Sequence, residues 1–407
     1  MQLKGVVLKK GKERVLLKRH PWIFSGAVLA YPEGFVNGSL SAVFSFEKEL
    51  LGYGYFNRNC SLCGRMVSFG DEDPHEALRK NLKRALDLRQ RLFEKTKTTA
   101  YRLVNGEGDG LPGLIVDRYG DFLVLQIGTL GMEKLKNEIV GHLTALLRPE
   151  GILEKSSSSS RKEEGLEALQ ACLFGRMFDE VEILENGKRF SVACQKGQKT
   201  GFFLDQREMR ALVERHARGK KVLNAFGYSG AFSVYALKGG AQKADTVDLS
   251  IEALALAKKN LALNGLESSE NGFFQQDVFA FLSGASSKEP GKETRPRPES
   301  GFFEYDLVIL DPPAFAKKKA DLSRAAGGYQ ELNRLALQRM PKGSFLLSSS
   351  CSYFIDEKLF SQILFAAALE AGREVRILSR HLQAPDHPRS IYHPEGDYLK
   401  SLFLYVD

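Results

Sequence analysis

The chain has 407 residues, with 58 Lys and Arg against 50 Asp and Glu, a formal net charge of +8 and a pI near 9.0. That length allows two or three domains, and 43% hydrophobic with 27% charged residues excludes a disordered or collagen-like chain. Five scattered cysteines argue against a disulfide framework, while no apolar run approaches the ~18 residues of a membrane span.

The N-terminus carries charge throughout and has no apolar signal core, so a cytoplasmic protein is expected. The basic excess favours a polyanionic partner. The first seventy residues hold ten Lys and Arg against four Glu. Here KGVVLKK, SLSAVFSF, LLGYGYFN and SLCGRMVSF alternate apolar and polar residues between glycines, which predicts a small β-rich module over 1–70. Trp22, the single tryptophan, is expected in its core. Cys60 and Cys63 form a lone CxxC without a second pair, so strand cysteines are expected and no metal site.

Residues 73–97 predict one helix, with Asp73 as N-cap, Pro74 at its first position and Leu78, Leu82 and Leu86 on one face. LVNGEGDGLPGLIVDRYGDFLVLQI predicts two strands joined by turns, and a helix follows near 132–148. Five serines at 156–160 read as a loop. A central α+β domain is therefore expected over 71–180. VEILENGKRFSVAC places Asn186-Gly187 between two alternating runs, a hairpin signal, and 181–197 is taken as a hairpin linker.

From 220 onward strands and helices alternate: KKVLNAF, KADTVDL, FFQQD, YDLVILD, GSFLLSS and EVRILSR as strands, and DYLKSLFLYVD as a last strand. The pattern predicts a parallel, doubly wound sheet with helices on both faces, in a domain over 198–407. The charged, Pro- and Gly-rich segment 283–301 is expected to be a loop at the N-terminal edge, away from any chemistry.

VLNAFGYSGAF (222–232) reads as strand, glycine turn and helix. Gly227 and Gly230 let backbone approach a ligand at a helix N-terminus. Asn224, Phe226, Tyr228 and Gly230 are its candidate cofactor contacts. Asp248, about twenty residues on, can accept both hydroxyls of a ribose. Asp277 can accept from an adenine amino group. Each aspartate alone suits a helix cap; three at successive strand ends, after a glycine turn, describe a nucleoside cofactor site. Asp311-Pro312-Pro313 forms a rigid turn after the fourth strand. Cys351 ends the fifth, which should neighbour the fourth, so Asp311 and Cys351 are expected to face one pocket.

VLNAFGYSGAF, DLVILDPPAF and LLSSSCS resemble motifs I, IV and VI of class I S-adenosylmethionine-dependent methyltransferases. With QKGQKTGFFLDQR upstream, the set is similar to the 23S rRNA cytosine-C5 methyltransferases known as large-subunit methyltransferase I. RHPWIFSGAV resembles the start of that family's PUA domain, an RNA-binding β module. LVNGEGDGLPGLIVDRYGDFLVLQ resembles its central domain, and APDHPRSIYHPEGDYLK its C-terminal motif. The resemblance runs along essentially the whole chain. It implies a Rossmann-like C-terminal methyltransferase sheet, S-adenosylmethionine as cofactor and 23S rRNA as partner, naked or in an assembling subunit. A homodimer is compatible with it, and no membrane is involved.

The family's mechanism would make Cys351 a nucleophile at cytosine C6 and Asp311 the carboxylate at the N3/N4 edge of the base. A free thiol is only partly ionised at neutral pH, so the site should assist its deprotonation. The base for the C5 proton is left unassigned, with Asp386, His387 and Glu395 on a loop expected at the active-site rim. In QKGQKTGFFLDQR, Lys196 and Lys199 can contact phosphate, Phe202 or Phe203 can wall the cofactor or a flipped base, and Asp205 and Arg207 can hold the cofactor's amino-acid end. An ordinary ion pair at a helix start is the plain alternative. Lys317, Lys318 and Lys319 suit an RNA backbone or a solvated face equally. Methylation of an exocyclic amine would favour an aromatic residue where Ala314 stands. A C5-uracil enzyme and an RNA-binding protein with a degenerate cofactor site are the other competing readings.

Overall fold

The structure is a computed structural model that describes residues 4–284, 305–316 and 318–407. Most of the loop expected at 283–301, and Lys317, lie outside the described residues. The chain divides into two compact units: Met1–Gly187 with Val192–Leu204 and Pro385–Gly396, and Lys188–Ser191 with Asp205–Ala384 and Asp397–Asp407.

Among the described residues the first unit holds a six-stranded and a five-stranded sheet. The first has six strands, in the order Trp22–Phe24, Leu62–Phe69, Leu50–Phe56, Leu40–Phe44, Gly5–Leu8, Val28–Ala30. Its alternating residues close a core around Val6, Leu8, Val43, Phe56, Cys63 and Met66. The second has five strands, from Leu169–Gly175 through Gly151–Ser156, Phe122–Ile127 and Leu114–Tyr119 to Ala100–Asn105. Helix Pro74–Leu92 lays Leu78, Leu82 and Leu86 into that core, each burial contributing ~1.5–3 kcal/mol. Asp73 caps it as expected, its Oδ1 accepting from the backbone N–H groups of His75 and Glu76 at 3.0 and 3.1 Å.

Four expectations are corrected here. The helix stops at Leu92 rather than 97, because Phe93 turns extended and stacks on Tyr101 with ring centroids 5.5 Å apart. The helix near 132–148 is two, Leu130–Lys134 and Lys136–Leu147. The serine run is no plain loop: Ser156 ends a buried strand, its Oγ donating to Glu154 at 2.7 Å, and Ser158 precedes a short helix, Ser159–Glu163. Trp22 is half-buried and lies outside the first sheet's core; its indole N–H donates to Glu107 at 2.9 Å and its ring meets His393 edge-on at 4.5 Å.

Segment Pro385–Gly396 belongs to this first unit. Asp386 Oδ2 accepts from the Arg102 backbone N–H at 2.9 Å, and its carbonyl accepts from the Arg89 guanidinium at 2.8 Å. Arg89 and Arg102 form bidentate pairs with Asp109 and Asp117. Asp386 and His387 are buried, and Glu395 lies 3.2 Å from His20.

Among its described residues the second unit carries a seven-stranded sheet, its strands labelled within it as β1 (Lys221–Ala225), β2 (Lys243–Asp248), β3 (Phe273–Gln275), β4 (Leu307–Leu310), β5 (Ser344–Ser350), β6 (Val375–His381) and β7 (Lys400–Val406). Their order is β3-β2-β1-β4-β5-β7-β6. All described pairings are parallel except those of β7, which runs antiparallel to β5 and β6. The helices are α1 (Arg207–His216), α2 (Ala231–Lys238), α3 (Ile251–Leu263), α4 (Val278–Ser283), α5 (Leu322–Arg339) and α6 (Glu357–Ala371).

The strands alternate between two buried faces. Val222, Leu307, Ile309, Leu347 and Phe403 pack with α1 and α2. Leu223, Val308, Leu310, Leu346 and Leu404 pack with α4, α5 and α6. This is the doubly wound sheet that the β-α alternation predicts. Among the described residues no helix is long and apolar enough to cross a membrane.

Candidate active site

In a doubly wound sheet the ligand site lies beyond the C-terminal ends of the parallel strands, where the strand order reverses. Here that point is β1, flanked by β2 and β4. The turn from β1 to α2 is strained. Phe226 and Tyr228 both take the left-handed conformation, φ 60° and 42°, which costs a non-glycine residue ~1–2 kcal/mol. Gly230 follows at φ 68°, and a Cβ on it would stand 2.7 Å from the Ala257 Cβ on α3. Only glycine lets α2 start there.

The Tyr228 backbone N–H donates to Asp248 Oδ2 at 3.0 Å, and that of Ser250 to Oδ1 at 2.9 Å. Asp248 is thereby locked at the end of β2, with second lone pairs for hydroxyl donors. Asp277 stands two residues past β3, exposed, with Oδ1 capping α4 through Ala280 N–H at 2.9 Å. Asn224, 1% exposed near the end of β1, donates to Ser233 Oγ at 3.0 Å, while its Oδ1 finds no hydrogen-bond partner among the described residues. A buried amide oxygen without a donor costs ~1–3 kcal/mol, which a ligand N–H or O–H would recover.

Asp311 and Cys351 are brought to one edge. Leu310 pairs with Ser348 in the parallel β4–β5 ladder, so the residues following both strands emerge together. Cys351 Sγ lies 3.8 Å from the Pro312 carbonyl. Asp311 Oδ1 accepts from Gln206 Nε2 at 2.8 Å, and Gln206, buried just before α1, keeps an Oε1 without a partner among the described residues. Asp205 is buried too; its Oδ2 accepts from the Tyr398 hydroxyl at 2.7 Å, and its carbonyl from the Ala384 N–H at 3.0 Å. Arg207 is buried at the first position of α1.

Beside Cys351, Ser352 Oγ takes the Ala316 N–H at 3.2 Å and meets the Tyr329 hydroxyl at 3.1 Å. Lys400 opens β7 opposite Ser350, 4% exposed, and donates to the carbonyls of Ser352 at 2.7 Å and Tyr398 at 2.8 Å. Burial pushes its ammonium down to about 8, against the opposing pull of Cys351 and Asp356.

Sequence reasoning missed Gln206, Tyr398 and Lys400. The available signal was a lysine opening an apolar strand: an antiparallel β7 must begin at the edge where the parallel strands end. Phe203 and Lys199 belong to the first unit, where the Lys199 ammonium lies 4.6 Å from the Phe203 ring centre; Lys199 is exposed and Phe202 buried. Lys318 is exposed after the Asp311 turn. Asp386 and His387, expected on an exposed loop, are buried in the first unit, where Asp386 Oδ2 accepts from the Arg102 backbone N–H.

Two family models match the chain, an S-adenosylmethionine-dependent methyltransferase over residues 165–386 and a PUA-like domain over 6–69. The ribosomal RNA large subunit methyltransferase I of Pseudoalteromonas atlantica is 39% identical, covering 98% of this chain and 99% of that protein. Its namesake in Aeromonas salmonicida is 40% identical, covering 98% of each. A solved structure described as a candidate methyltransferase complexed with SAH superposes with a TM-score of 0.82 at 25% identity, covering 99% of this chain and 100% of the other. Another, a candidate SAM-dependent methyltransferase from Streptococcus mutans, superposes at 0.81 with the same identity and coverage.

The site residues fit the cofactor these matches imply. Asp248 would suit its ribose hydroxyls, the turn from β1 to α2 would let it approach α2, and the buried Asn224 Oδ1 and Gln206 Oε1, without partners among the described residues, would accept from its donors. The chain belongs to the ribosomal RNA large subunit methyltransferase I family of S-adenosylmethionine-dependent methyltransferases and carries a PUA-like domain at residues 6–69.

Proposed function

We propose that the protein transfers a methyl group to C5 of a cytosine in 23S rRNA, through a covalent adduct between Cys351 and C6. The observation that carries this is the shared edge of β4 and β5, where Cys351 Sγ stands 3.8 Å from the Pro312 carbonyl in the turn that begins at Asp311. When bound, S-adenosylmethionine supplies an electrophilic methyl on its sulfonium. Cytosine C5 is a weak nucleophile. The Cys351 thiolate forms an S–C6 bond, and the electron pair of the C5–C6 double bond shifts so that C5 becomes enamine-like. N3 takes a proton from solvent, and the Asp311 carboxylate at the N3/N4 edge stabilises the protonated ring, while Gln206 fixes the orientation of that carboxylate. Methylation of C5 leaves S-adenosylhomocysteine. Solvent water then takes the C5 proton, and the C5–H electron pair restores the C5–C6 double bond. The S–C6 bond breaks to return the thiolate to Cys351, and N3 gives its proton back to solvent.

A methyltransferase acting on an exocyclic amine needs no thiol beside its Asp-Pro-Pro turn. The target base must leave its stack to reach Cys351. The basic first seventy residues, read as the RNA-binding module, add phosphate and shape recognition. Within the second unit, Asp205 and Arg207 take the cofactor's amino-acid end. Asn224, Phe226, Tyr228, Gly230, Asp248 and Asp277 take its remainder, and Lys199 and Lys318 meet phosphates.

Ribosomal RNA transcribed with 5-fluorocytidine tests this. Fluorine at C5 cannot leave as a proton does, so the adduct should persist as a denaturant-resistant complex with the unaltered protein and vanish in Cys351→Ala. A complex that persists in Cys351→Ala, or none with the unaltered protein, contradicts the proposal.

A further inference from the structure

Lys400 presents a physical anomaly. Its ammonium is 4% exposed, yet its described hydrogen-bond partners are two neutral carbonyls, those of Ser352 and Tyr398. No described carboxylate lies within salt-bridge distance of it. A buried charge is ordinarily paired, because several kcal/mol of lost hydration must be recovered. Two of its three N–H donors serve those carbonyls, and no other described group takes the third.

The groups facing this end of the sheet narrow the choice of a counter-charge. They are Cys351 after β5, Asp311 after β4, Tyr329 on α5, Asp356 at the start of α6 and Asp205 before α1. Asp205 is engaged by the Tyr398 hydroxyl, Asp311 by Gln206, and Asp356 by the first turn of α6, where its Oδ1 accepts from Leu359 N–H at 2.7 Å. Burial raises the Tyr329 phenol, so it stays neutral. Cys351 acts on Lys400 ahead of Asp356, and it stands between Ser350, which pairs with Lys400 across β5 and β7, and Ser352, whose carbonyl Lys400 binds.

We propose that Lys400 is the positioning residue for Cys351, a fixed buried ammonium that holds the sulfur as a thiolate at neutral pH. The thiol gives its proton to solvent, and Lys400 keeps its own. The carbonyls of Ser352 and Tyr398 fix the cation, so a local ion pair forms without reorganisation. Burial lowers Lys400 and the charges of Cys351 and Asp356 oppose that, leaving it at about 8, so the ammonium is kept at neutral pH. This rests on the reading of Cys351 as the nucleophile, but its test does not pass through methyl transfer.

The test is the pH dependence of Cys351 alkylation by iodoacetamide in the full chain, read by peptide mass spectrometry, which separates it from Cys60, Cys63, Cys172 and Cys194. In the unaltered protein the midpoint should fall at least one pH unit below the ~8.5 of a free thiol. Lys400→Met should move it up by a unit or more and slow alkylation at pH 7 about tenfold, while Lys400→Arg should keep it low. Binding of S-adenosylhomocysteine to the variants reports their folding. If Lys400→Met does not fold, the midpoint in the unaltered protein decides alone. A midpoint at or above ~8.5, or one that Lys400→Met leaves in place, overturns the proposal. A low midpoint that depends on Lys400, with no fluorocytidine adduct, would keep this inference and sink the function proposed above.

Discussion

Cys351 and Asp311 stand one strand apart because β4 and β5 are neighbours in register, and the chemistry proposed for them is separable from cofactor binding. Cys351→Ala should therefore abolish transfer while S-adenosylhomocysteine binds within about threefold of normal by calorimetry. Asp311→Asn removes the charge that stabilises the protonated ring, and turnover should fall by ~10²–10⁴-fold, the range of a lost acid–base partner. These two residues were legible in the sequence, since each directly follows an apolar strand and one opens a double-proline turn. Lys400, Tyr398 and Gln206 were not. For Lys400 the available signal was a lysine opening an apolar strand, whereas Tyr398 and Gln206 depend on the approaches to β7 and α1, which leave no spacing signal. Asp386 and His387, expected on an exposed loop between two strand-like runs, are buried in the first unit, where the Arg89 guanidinium and the Arg102 N–H both bond Asp386.

The elements around the site divide by how local their causes are. Asn186 and Gly187 take φ 50° and 77°, the two-residue turn their identities predict. Asp73 and Pro74 set a helix start in the same local way. The helix end at Leu92 depends on Phe93 finding Tyr101, a tertiary contact that no window of sequence contains. The β1–α2 turn combines both kinds. Its glycines were legible, but the left-handed Phe226 and Tyr228 were not, since side chains at such angles persist only where the surroundings hold them. Gly230→Ala meets both an unfavourable φ and the Ala257 side chain 2.7 Å away, so urea unfolding should show a loss of ~1–3 kcal/mol.

At the scale of the whole molecule, the β-rich start and the doubly wound C-terminal sheet followed from periodicity, whereas the assignment of Pro385–Gly396 to the first unit did not. A segment between two strands of one sheet returns to distant residues through Asp386, and only buried hydrogen bonds specify that. The Arg102–Asp117 pair is buried, and Thr200 adds a third hydrogen bond to Asp117 at 2.6 Å. Asp117→Ala would strand the guanidinium, and chemical denaturation should record a loss of ~3–5 kcal/mol.

The basic balance of the chain bears on its partner. Affinity for ribosomal RNA should fall steeply with salt, and Lys199→Ala or Lys318→Ala should each lower the log–log slope by ~1, if each releases one counterion from a phosphate. The central claim is the identity of the methylated atom. Tritiated S-adenosylmethionine, incubated with the protein and with 23S rRNA from cells lacking the activity, should leave its label in 5-methylcytidine after digestion to nucleosides, and Cys351→Ala should leave none. Label in a methyluridine or an N-methylated base, or transfer that survives Cys351→Ala, would contradict the account.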